Sequence, residues 1–86
     1  MTDIEKRMDR FDAMVHEYLR ANRKSIEYLS EKIGCSATSL WRYRTQTDAF
    51  RKMPVEILAN CFRITNTSND LIRYILGLPT GKSNEN

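Results

Sequence analysis

The chain has 86 residues, 41% of them apolar, and 14 Lys plus Arg against 11 Asp plus Glu for a formal charge of +3, the make-up of one soluble globular domain. No run approaches the ~20 apolar residues of a membrane span, and the start Met1-Thr2-Asp3-Ile4-Glu5 lacks the pattern of a secretory signal. Cys35 and Cys61 lack zinc or redox spacing and His16 stands alone, so disulfide scaffold and zinc finger are excluded, the cytoplasm is expected, and no metal, cofactor or small-molecule ligand is implied.

Alternating β-branched runs between turn clusters are missing, and helical periodicity takes their place. Ile4, Met8, Phe11, Val15, Tyr18 and Leu19 draw one stripe along a long first helix, with Thr2 and Glu5 at capping-box spacing. Ser25 caps a second helix carrying Ile26, Leu29 and Ile33, and Gly34 follows as a left-handed stop. Ser36 caps a short third helix, buried through Leu40 and Tyr43. Between Thr45 and Met53 the pattern lapses, which predicts a connecting loop. Pro54 suits the first position of a fourth helix that buries Ile57, Leu58, Cys61 and Phe62. The run from Asn66 to Asp70 reads as a turn, with Thr67 and Asp70 at capping-box spacing. A fifth helix carries Leu71, Ile72, Ile75 and Leu76 and stops at Gly77, with Pro79 behind it. The sum is an all-α, five-helix single domain over residues 1–79, with a flexible polar tail at 80–86.

Charge becomes informative once it is divided along the chain. Residues 18–52 hold eight basic side chains against three acidic ones, whereas residues 1–17 are net negative and residues 53–86 neutral. A basic middle third suits a phosphate-bearing partner, although charge alone fits a solvated face equally well. Within it, residues 25–45 read as two short helices joined by a tight glycine turn, a helix-turn-helix. Ser30 is small where the two helices cross, and Gly34 takes a backbone angle that other residues resist.

From about Tyr18 to Leu76 the chain resembles the lambda-repressor and Cro-like (XRE-type) helix-turn-helix family of phage and mobile-element regulators. The resemblance rests on Leu29, Ile33, Gly34, Ser36 and Leu40 of the motif, and on the later Pro54, Leu58 and Ala59. It implies a lambda-repressor-like domain, here with an extended N-terminal helix. Ile26 stands where that family usually has Gln, and Ser30 where it has Ala. It also implies sequence-specific double-stranded DNA binding and transcriptional regulation, with helix 37–45 in the major groove. The base-contact candidates are then Ala37, Thr38, Trp41, Arg42 and Thr45. Phosphate-contact candidates are Ser36, Arg44, Arg51, Lys52, Arg23 and Lys24, with Arg20 beside them.

Cys35 and Cys61 fall at apolar-pattern positions and read as small buried hydrophobes. His16 has no evident acid–base partner, and no nucleophile elbow, phosphate-cradling loop or carboxylate pair is present, so no enzymatic activity is expected. The competing reading is a protein-binding adaptor, inhibitor or antitoxin-like module, which an outward Trp41 suits. A homodimer is expected, built on Ile72, Leu76 and Leu78 or, as the alternative seam, on Ile4, Met8 and Phe11.

Overall fold

The computed structural model describes residues 1–79; the tail expected at 80–86 lies outside them. Six helices fill this span: α1 Asp3–Asn22, α2 Ile26–Ile33, α3 Ala37–Thr45, α4 Thr47–Arg51, α5 Val55–Thr65 and α6 Asn69–Leu76. No strand occurs among the described residues, as the periodicity predicts. The helix count differs from the expected five, because the segment read as a loop after Thr45 contains α4.

That helix is held by burial, not by local signals. No side chain caps α4, and at five residues it is too short for periodicity to register. Its anchor is Phe50, only 7% exposed, whose ring lies 5.8 Å from that of Phe11 on α1. Met53, just beyond α4, is also buried. Full burial of such a side chain contributes roughly 1.5–3 kcal/mol, enough to fix a short helix that propensity alone leaves open.

The helix ends follow capping chemistry. At α1 the Glu5 N–H donates to Thr2 Oγ1 (3.3 Å) and the Thr2 N–H to Glu5 Oε1 (2.9 Å), the expected capping box. The bond from the Thr2 backbone, and then that with its side chain, holds the Glu5 carboxyl below its usual range. Ser25 Oγ accepts from the Tyr28 N–H at the start of α2. Gly34 closes that helix at φ 94, and the Cys35 N–H reaches back to the Ser30 carbonyl, the six-to-one bond of a Schellman end. Arg23 and Asn66, neither of them glycine, take the same left-handed conformation after α1 and α5.

Two expected boundaries shift. Pro54 lies outside α5, in the N-cap position, not at its first helical residue. The cap of α6 is Ser68, whose Oγ accepts from the Leu71 N–H, not Thr67. The Thr67 hydroxyl is engaged with Thr65 and with the Met14 sulfur on α1, so Ser68 is the hydroxyl left free to turn into the helix.

Around this frame the core gathers Phe11, Val15, Leu29, Ile33, Leu40 and Cys61, all fully buried, with Phe50, Met53, Phe62 and Ile75 beside them. Ile57 and Leu58 pack against its edge, half-buried. Both cysteines are free thiols. No helix among the described residues is long and apolar enough to cross a membrane.

Candidate nucleic-acid interface

The turn between α2 and α3 comprises Gly34, Cys35 and Ser36, short enough to fix one helix on the other. Leu29, Ser30 and Ile33 of α2 and Leu40 of α3 are buried. Ser30 Oγ donates to the Glu27 carbonyl one turn back, so this buried hydroxyl is satisfied within its own helix. Asn60 of α5 donates to the carbonyl of Ile33 and closes the end of α2.

The outward side of α3 follows from helix geometry. Residues 38, 41, 42 and 45 share one face, and Thr38, Trp41, Arg42 and Thr45 are all exposed. Trp41 is 52% exposed, the outward placement expected from the burial of Leu40. Ala37 is half-buried at the edge of this stripe. The Thr45 hydroxyl donates to the Trp41 carbonyl at 2.8 Å, so only its lone pairs face outward. Ser36 is committed as the cap: its Oγ accepts from the Ser39 N–H and donates to Ser39 Oγ, both at 3.0 Å. It is therefore withdrawn from the phosphate-contact candidates.

Arg44 requires a larger correction. Instead of facing phosphates it turns back onto α1, with its side chain 11% exposed and its Nε 2.7 Å from Asp12 Oδ1. Its Nη2 lies 2.8 Å from His16 Nε2, and His16 Nε2 is 3.6 Å from Asp12 Oδ1. His16, expected to stand alone, thus belongs to a three-residue polar strut that ties the last turn of α3 to α1. Helical spacing places Asp12 and His16 together on α1, but no local pattern announces a partner on α3.

The remaining basic candidates are freer. Among the described residues no carboxylate lies within ion-pair distance of Arg42, Arg51, Lys52, Arg23 or Lys24. All five are exposed. Lys24 rests its ammonium 4.5 Å from the Tyr28 ring centre, and Lys32 approaches the same ring at 5.4 Å. Arg20 is taken by Glu17 at 2.7 Å; that bond, reinforced by the opposite charge, holds the Glu17 carboxyl below its usual range.

Arg7, which sequence reasoning did not single out, joins three helices. Its Nε donates to the Ile75 carbonyl of α6 at 2.9 Å, and its guanidinium lies 5.9 Å from the Phe50 ring centre of α4. A cation at the C-terminal end of α6 also complements the helix dipole. Gly77 is required beside it: φ is 78, and a Cβ there would stand 2.9 Å from Arg7 Cζ.

Of the expected dimer residues, Phe11 is fully buried, because α4 supplies Phe50 to cover it. It offers no surface to a partner. Met8 and Ile72 are half-buried against the core. Leu76 and Leu78 remain exposed at 38% and 50%. Ile4 and Leu76, placed in separate seams by the sequence, line one open cavity of about 580 Å³.

Comparison with known protein families, with curated proteins and with solved structures finds no match.

Proposed function

We propose that the chain is a sequence-specific, double-stranded DNA-binding transcriptional regulator of the Cro or repressor type, non-enzymatic and working as a homodimer. The observation that carries this reading is the outward stripe of α3, where Thr38, Trp41, Arg42 and Thr45 are exposed together while Leu40 anchors the opposite side. A helix so mounted presents side chains to the major groove, where a guanidinium forks onto guanine and an apolar surface meets the thymine methyl. Arg42 takes the first role and Trp41 the second, with Thr38 and Thr45 beside them and Ala37 at the margin. Arg23, Lys24 and Lys52, with no carboxylate partner among the described residues, supply phosphate contacts that orient the domain without reading sequence. The resemblance of residues 18–76 to lambda-repressor and Cro-like domains points the same way. A single motif covers few base pairs, and pairing two of them on half-sites one helical turn apart supplies the missing specificity.

Trp41 favours one competing reading. A large aromatic exposed by half also serves as an anchor at protein interfaces, as in an adaptor or antitoxin-like module. A gel shift against genomic DNA fragments at two salt concentrations separates the two. DNA binding that weakens steeply with salt supports the regulator, because phosphate contacts release counterions. Absence of binding at low salt overturns it.

A further inference from the structure

The cavity between α1, α4 and α6 has a feature that the core does not need. Ile4, Leu58 and Leu76 are among the apolar residues lining it, and the exposed Asp3 and Arg51, with the half-buried Arg7, give its rim charges of both signs. Arg51 has no carboxylate within ion-pair distance among the described residues, and Asp3 is 84% exposed with only a long 3.7 Å contact to Arg7. Two further exposed apolar residues lie close in sequence to those lining it. Met1, next to the lining residue Thr2, is 79% exposed, and Leu78, two residues beyond Leu76, is 50% exposed. A small molecule seated in the cavity would leave those two side chains in water, whereas a macromolecular surface covers them.

We infer that this cavity is the pairing seam of the homodimer, occupied by the same surface of a second copy, with Asp3 of each protomer facing Arg51 of the other. The inference rests on the dimeric regulator reading and gives it a location. Self-pairing is favoured over a foreign partner by the charge pattern. Under a two-fold axis, residue i of one copy meets residue j of the other and the reverse, so a surface must carry both members of each ion pair to complement itself. This rim does. A partner of one sign would leave either Asp3 or Arg51 facing a like charge, which disfavours it. Ile4 of one expected dimer seam and Leu76 of the other meet at this cavity. Arg51 moves from the phosphate contacts to the seam.

Sedimentation equilibrium of the full chain without DNA tests this, with circular dichroism to show that each variant is folded. The wild type sediments as a dimer at micromolar concentration. Leu76→Glu, a change at an exposed position, weakens association by about tenfold or more, and Asp3→Arg and Arg51→Asp each weaken it through like charges. The double variant Asp3→Arg/Arg51→Asp recovers most of what either single change loses. A monomeric wild type at high micromolar concentration overturns the inference, as does a double variant that associates no better than the singles. A monomer that still binds DNA removes the seam alone; a dimer that binds no DNA at low salt removes the regulatory reading alone.

Discussion

Replacing Asp12 by Ala tests how the candidate recognition helix is held. The substitution removes the carboxylate 2.7 Å from Arg44 Nε and leaves a largely buried guanidinium with His16 as its remaining side-chain acceptor among the described residues. Removing one partner of a fully buried ion pair costs about 3–5 kcal/mol, and a hydrogen bond to a charged group contributes about 1.5–3 kcal/mol. The Asp12 side chain is 29% exposed, so water enters the vacated space and the lower range applies. The expected loss is about 2 kcal/mol, a fall in Tm of roughly 8–16 °C for a domain of this size. Urea unfolding of wild type, Asp12→Ala, Arg44→Met and the double variant measures it. The cycle should return a coupling of at least about 1 kcal/mol between the two positions. Because the Arg44 guanidinium is engaged by Asp12 and His16 on α1, Arg44→Met should leave the salt slope of DNA binding unchanged. A stability loss under about 0.5 kcal/mol, the range of an ordinary surface substitution, would refute the strut.

Arg42→Ala should lower specific DNA affinity by roughly 1–3 kcal/mol and relax preference at one base position, measured by titration of the selected site and its single-base variants. Lys52→Ala should weaken all sequences alike and reduce the salt slope by about one; a changed base preference would contradict a phosphate role. Burial, and then the nearby Cys35, push the Cys61 thiol up from 9.0 to about 12. Its folded pKa is raised, so its contribution to stability is fully present below pH 9 and is lost as pH climbs toward 12. Cys61→Ala, although less stable at neutral pH through the cavity it leaves, should lose less stability than wild type across that interval in denaturant titrations.

Five of the six helices are legible in the sequence, for a local reason. Their caps and stripes lie within a few residues, so Thr2 with Glu5, Ser25, Gly34, Ser36 and Gly77 announce their roles without knowledge of the rest of the chain. α4 is not legible, because five residues without a capping side chain carry no period. That omission has a second consequence. Without Phe50 in view, Phe11 looks like surplus apolar surface on an extended helix and is assigned to a dimer seam; with α4 in place it is core. Arg44 fails for the converse reason. Its position in a basic segment suggests phosphates, while its actual partner lies 32 residues earlier. The outward turn of Trp41, by contrast, is fixed by simple rotation from Leu40 and could be read directly.

Selection of bound sequences from a randomised duplex library tests the central claim most directly. The account predicts enrichment of one motif, with two related half-sites centred about 10 base pairs apart, and a base preference that Arg42→Ala alters. Recovery of no enriched sequence at low salt from the folded protein would contradict it.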